Sequence, residues 1–189
     1  ASVLHFSAPA TWSVTRWYRR SCRPTTATTA NRVMTMTLMV EVQTLTDKGR
    51  PPAPQRLTEW ARAAWQHSSR DGEVVLRITD EAESRHLNHD YRGKDYPTNV
   101  LSFPFEPPPE IDQCHVGDLV ICAPLVAQEA REQGKSADAH WAHMIVHGML
   151  HLQGHDHATD QQATAMETLE ADILGGLGFP PPYAADEKT

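Results

Sequence analysis

The pattern His147-x-x-x-His151-x-x-Gly154-x-x-His157 constrains this chain more than any other feature. Histidines four apart lie one helical turn apart, so their imidazoles project from the same side of a helix. Other residues mark that helix independently. Ser136 is a good N-cap, Asp138 falls in the first turn, and Trp141, Met144, Ile145, Gly148 and Leu152 share an apolar face. Gly154 then permits the left-handed backbone that ends a helix and doubles the chain back. His157 is thereby brought within reach of the first two histidines. Three neutral ring nitrogens without a fourth protein ligand leave a position for water, which is the arrangement of a catalytic rather than a structural zinc. The expected ligands are His147, His151 and His157, for one Zn2+ per chain.

Metzincin proteases use the same ligand spacing, with a Glu directly after the first histidine as general base. Here that position is Gly148. The metal cage is kept and the peptidase base is missing. Six of the 11 histidines crowd into positions 140–157. Three of them plus water fill a tetrahedral site, which leaves His140 and His143 as supporting or surface groups. His155 is expected to be exposed or to line a pocket. Asp156 either accepts the second ring N–H of a ligand or serves as a turn residue.

Strand and helix signals alternate around this helix. Leu38, Val40 and Val42 alternate within residues 37–44 as in a strand. Leu57, Trp60, Ala61, Ala64 and Trp65 recur with a helical period, residues 73–79 read as a strand, and Asp80 caps a helix reaching about Tyr91. Pro97 and Pro104 bracket an extended stretch from Val100 that suits a sheet edge or a strand end. Residues 118–123 form a short apolar strand, and Pro124 opens a helix that ends near Gly134. A last helix carries Met166, Leu169 and Ile173 until Gly175-Gly176 stops it. Strands mixed with helices in a single domain give α+β or α/β, and the pattern alone does not fix the strand order. Apolar residues make up 40% of the chain, enough to bury a core, and no apolar run is long enough to span a membrane.

Residues 1–40 hold five arginines and no Asp, Glu, Gly or Lys. An organelle-type transit segment fits this, and so does an over-extended reading frame with initiation at Met34, Met36 or Met39. Residues 1–38 are accordingly expected to be a poorly ordered extension, 39–178 the catalytic zinc domain, and 179–189 a C-terminal tail.

A second constellation, LNHDYRGKDYPTNVLSFP, fills residues 87–104. Arg92 and Lys94 follow a helix end there, and a guanidinium suits bidentate phosphate recognition. Alone, such a basic end is as readily explained by the helix dipole. This segment is followed by GDLVICA from Gly117, HGMLHLQGHDH from His147 and METLEADIL from Met166. Together, and in that order, the four segments resemble the YbeY family over roughly Met39 to the final helix. Where many members have Tyr, this chain has His155.

The resemblance implies an α+β fold, a single domain with a small mixed β-sheet packed with about five helices and a zinc site in a cleft at the end of the histidine-bearing helix. It also implies a single-strand-specific, metal-dependent endoribonuclease. It implies action in rRNA maturation, including small-subunit rRNA 3′-end processing, and in ribosome quality control. Carried over by position, the catalytic set is Arg92, His147, His151 and His157, with the three histidines as zinc ligands. The implied partners are single-stranded rRNA and the ribosome or small-subunit proteins, with no DNA and no membrane. The implied location is the bacterial cytoplasm, or an organelle if residues 1–38 are a transit segment. Attack of zinc-activated water on a phosphodiester is the expected chemistry, and it accounts for the missing Glu. The rival expectations are a metzincin-like zinc hydrolase lacking its base, and a non-catalytic, zinc-stabilised ribosome-assembly factor. Net charge is −7, and −12 from residue 41 onward. Broad phosphate neutralisation is thus disfavoured, and RNA is expected to be held locally by the metal, Arg92 and Lys94.

Overall fold

A computed structural model describes residues 37–67, 71–105 and 114–183. The extension expected over residues 1–38 lies outside these except for its last two positions, of which Leu38 is already buried in the first strand. Four strands form one sheet: β1 (Leu38–Thr44), β2 (Gly72–Thr79), β3 (Val100–Pro104) and β4 (His115–Cys122), in the order β1-β2-β4-β3. β1, β2 and β4 run parallel, and β3 pairs antiparallel to β4. The sheet is therefore mixed, and the proline-bounded strand takes an edge, where a missing N–H is harmless.

Side chains alternate across a strand, and this sorts the helices onto two faces. Val74, Leu76, Ile78, Leu119 and Ile121 share the main core with α1 (Pro54–Ala63), α3 (Ala123–Glu132), α4 (Ala137–Leu152) and α5 (Asp160–Gly176). Leu101 and Val120 point the other way, against Leu87 of α2 (Glu81–Arg92). Local signals set the helix ends. The carboxylate of Asp80 accepts the backbone N–H groups of Ala82 and Glu83, Ser136 accepts that of Ala139, and Thr159 forms a reciprocal capping box with Gln162. α5 runs through both Gly175 and Gly176. The chain reverses instead at Gly178, which has a φ of +81°.

α4 carries the histidines and is buried on more than the one face expected of it. His140, Ala142, Val146, Met149, Leu150 and His151 are buried along with the apolar stripe. Two glycines let it lie close to the sheet. A Cβ at Gly148 would stand 2.8 Å from Cδ2 of Leu119 and 3.4 Å from Oγ of Ser102. At Gly117 in β4 (φ +147°), a Cβ would meet the Phe103 carbonyl oxygen at 2.3 Å and Leu152 at 2.9 Å. The gaps below 3 Å are inside van der Waals contact at both glycines, so the seat of α4 on β3 and β4 depends on both positions staying small.

Candidate metal centre

The i, i+4 spacing on α4 brings Nε2 of His147 and Nε2 of His151 to 3.0 Å from each other. His157 arrives from the loop after the helix. Its ring stacks on His147 at 5.8 Å between centroids and meets His151 edge-on at 5.0 Å. One ligand nitrogen from each of the three lies within 4.8 Å of the others. Asp156 shapes this approach by accepting the backbone N–H of His157 at 2.8 Å, the turn role rather than the ligand-orienting one.

The opposite ring nitrogens are fixed as well. His147 donates Nδ1–H to Oε1 of Glu170 at 2.7 Å, and His151 donates Nδ1–H to the carbonyl oxygen of His155 at 2.9 Å. Each Nε2 is then a bare lone pair, and two lone pairs at this distance need a shared proton or a cation between them. Tetrahedral zinc with bonds of about 2.0–2.1 Å sets ligand nitrogens about 3.3 Å apart, close to the spacing seen. Burial first, and then the neighbouring His147, pushes the pKa of His151 down to about 4. Its neutral, ligating form therefore persists at pH 7. Donor type, tautomer and spacing all fit a metal ion.

Glu170 is fully buried on α5 and supports the centre from behind. Besides His147 it accepts Nε2–H of His143 at 3.3 Å and the hydroxyl of Tyr183. Burial by itself would raise its pKa, but these donors outweigh it and hold the carboxyl well below the usual range. Burial and the same carboxylate push the Tyr183 phenol up, so it remains a donor. His143, His147 and Glu170 also place ligand-type atoms within 4.8 Å of one another. Those atoms are already joined by hydrogen bonds, so this group supports the centre rather than forming a second one. His140 is buried too, with Nε2 at 2.8 Å from Glu129, which also accepts from Asn99 at 3.1 Å. These bonds hold Glu129 below the ordinary carboxylate range despite its burial. Both histidines act as supporting groups and neither is a surface one.

Arg92 is the last residue of α2, on the other face of the sheet from α4. Its neighbour Tyr91 stacks edge-on against Phe103 at 5.0 Å. The Phe103 carbonyl and Leu152 of α4 crowd the same glycine, Gly117. The ends of α2 and α4 thus approach one end of β3 from its two faces. Burial lowers the pKa of the Arg92 guanidinium, and Lys94 is exposed just beyond the left-handed Gly93. The structure brings the three histidines together and leaves Arg92 across the edge strand from them.

Sequence reasoning did not single out Glu170, Glu129 or Tyr183. Glu170 did leave a signal. Met166, Glu170 and Leu174 recur every four residues and are all buried, so a carboxylate stands in the apolar stripe of α5.

A small mixed sheet covered by helices, with three histidines gathered at the C-terminal end of one of them and, among the described residues, no fourth protein ligand grouped with those three, is an α+β domain with a candidate metal site of the open, hydrolase-like kind. Residues 44–178, more than two thirds of the chain, match the family model for endoribonuclease YbeY, and the chain belongs to that family. It is a family of hydrolytic, metal-dependent endoribonucleases that act on RNA in rRNA processing. The solution structure of TM1509 from Thermotoga maritima is similar at 22% identity with a TM-score of 0.46, over 74% of this chain and 92% of that one. Among the described residues, no helix is long and apolar enough to cross a membrane.

Proposed function

We propose that this chain is a single-strand-specific endoribonuclease that holds one Zn2+ on His147, His151 and His157. Its task is maturation of the small-subunit rRNA 3′ end, with a part in ribosome quality control, in the bacterial cytoplasm. The observation that carries this reading is the 3.0 Å approach of two Nε2 atoms whose Nδ1 partners are already engaged. When bound, the ion supplies Lewis acidity and a water acidified to a pKa of about 7. That chemistry needs no carboxylate at position 148, where a side chain would be aimed into Leu119 and Ser102. The same feature disfavours a peptidase. Glu170 and the His155 carbonyl hold the two helical ligands in the tautomer that leaves Nε2 free. Arg92, with Lys94, takes the phosphate and offsets charge developing on its non-bridging oxygens. The overall charge of −7 keeps the grip on RNA local, so ribosomal partners supply the rest of the affinity.

The test is metal analysis together with cleavage of a single-stranded rRNA fragment, on wild type, His151→Ala and Arg92→Ala. His151→Ala is expected to lose zinc and cleavage together. Arg92→Ala is expected to keep zinc and lose about 10²–10³ in rate, as removal of a charge-stabilising donor does. Full cleavage by a metal-free His151→Ala preparation would overturn the reading, and so would activity on peptides but not RNA. A 2′,3′-cyclic phosphate on the product would identify the ribose 2′-OH as nucleophile in place of water.

A further inference from the structure

The C-terminal residues 179–183 fold back over α5 and place a hydroxyl on the carboxylate that holds His147. Their path is fixed at several points. After the turn at Gly178, the Phe179 N–H donates to the Leu174 carbonyl at 2.9 Å, and the Phe179 ring packs edge-on against Trp60 at 6.0 Å. Residues 180–182 are three consecutive prolines, a stiff extended spacer with little conformational freedom to lose. Nζ of Lys135 donates to the Pro182 carbonyl at 2.7 Å. Tyr183 then lies edge-on to His143, at 5.6 Å between ring centroids, and donates to Oε2 of Glu170.

Glu170 has no access to solvent, so its orientation is decided by the donors around it. Oε1 faces Nδ1 of His147 at 2.7 Å, while Oε2 takes Tyr183 and the longer 3.3 Å contact from His143. Fixing Oε2 fixes the carboxylate plane. The plane fixes the aim of Oε1 at His147, whose other nitrogen faces His151.

We propose that Tyr183 is a positioning residue for the metal centre: its hydroxyl, acting through Glu170, holds His147 in the ligating tautomer and orientation, so that the C-terminal segment sets the metal affinity of the site. This rests on the reading of His147, His151 and His157 as metal ligands. Partners of ligating histidines are worth about 10- to 100-fold in metal affinity, and one step further from the metal the lower end of that range applies.

The experiment compares full-length wild type, Tyr183→Phe, Glu170→Gln and the double variant. Zn2+ affinity is measured by competition with a chromogenic chelator, and the visible spectrum is recorded with Co2+ in place of Zn2+. Tyr183→Phe keeps the ring against His143 and removes only the hydroxyl. It is expected to weaken Zn2+ binding about tenfold and to shift the Co2+ bands. Its metal-free melting point should fall by no more than the few degrees that one hydrogen bond accounts for. In the Glu170→Gln background the same change should have little further effect, because the hydroxyl acts through that carboxylate. Unchanged Zn2+ affinity and Co2+ spectrum in Tyr183→Phe would overturn the inference alone, and so would full additivity in the double variant. If wild type binds neither ion, the three-histidine reading falls and the inference falls with it.

Discussion

Glu170 on α5 accepts the Nδ1 proton of His147 on α4 at 2.7 Å, which ties α5 to the histidine-bearing helix. A carboxylate behind an imidazole fixes the tautomer, raises the basicity of the free nitrogen and stops the ring from turning. The contact also explains how a charged group is tolerated among apolar neighbours. Three donors meet its two oxygens, and each removes part of the cost of taking a carboxylate out of water.

Removing this group should damage folding as well as ligation. Glu170→Ala leaves the N–H groups of His143 and His147 and the Tyr183 hydroxyl facing a void. Unpartnered buried donors cost about 1–3 kcal/mol each before relaxation, and breaking a buried pair costs about 3–5 kcal/mol. Urea denaturation of the metal-free protein should therefore show a loss of about 2–5 kcal/mol. A variant as stable as wild type would mean that the three donors find other partners.

The three-histidine motif was legible because everything it needs is local: one helical turn, a glycine to end it, and a short loop. The polar network behind it was not. Glu170 reaches His147 from another helix, and its place in the stripe Met166, Glu170, Leu174 becomes a signal only once α5 is known to pack on α4. Tyr183 lies in what reads as a tail. Its position depends on the reversal at Gly178 and on Phe179 meeting Trp60 of α1, a contact between residues far apart in sequence that no periodicity carries. His155 serves through its carbonyl oxygen. Any residue supplies one, so this role asks nothing of the side chain at position 155. The start of β4 at His115 was missed for a similar reason. Gly117 resembles a break in a strand, but it is small because Phe103 and Leu152 crowd it.

Restoring the protease-like residue should not restore protease chemistry. In Gly148→Glu the side chain leaves α4 toward Leu119 at 2.8 Å, so it overpacks the interface with the sheet and buries a carboxylate without a donor set. Overpacking alone costs about 1–3 kcal/mol. A chemical denaturation curve should show a loss of at least about 2 kcal/mol, and peptide hydrolysis should remain at background. Measurable metal-dependent peptidase activity would mean that the helix had rotated to present the new carboxylate to the histidines.

Metal binding should be readable as stability, and His157 is the ligand that isolates it. It lies in a loop and is only partly buried, whereas His151 is embedded in α4. At a free Zn2+ concentration 100 times the dissociation constant, one site should add about 2.7 kcal/mol to the wild type. His157→Ala should leave the metal-free melting point nearly unchanged and reduce the zinc-induced rise to near zero at the same concentration. An undiminished rise would place the bound ion elsewhere.

The metal-free protein should also lose stability in a particular acid window. Burial, then the nearby His147, holds His151 at about 4 in the folded state, against 6.5 for an unperturbed histidine. Burial lowers His143 as well. Between those two pH values the unfolded chain takes up protons that the folded chain refuses. Stability is therefore complete above about pH 6.5 and falls as the pH drops toward 4. Glu170 adds a second limb. Burial would raise its pKa, but the bonds from His143, His147 and Tyr183 win and hold it below the 4.5 of a free carboxyl. Its contribution is present above about pH 4.5 and is lost as the pH falls further, when the unfolded carboxyl protonates first. Melting points measured in chelator from pH 7.5 down to 3.5 should hold down to about pH 6.5, fall below it and steepen at the lower end. In His151→Gln the slope between pH 6.5 and 4 should become shallower while the lower limb persists, because only the histidine has been removed. An identical slope in that variant would assign the upper limb to His143.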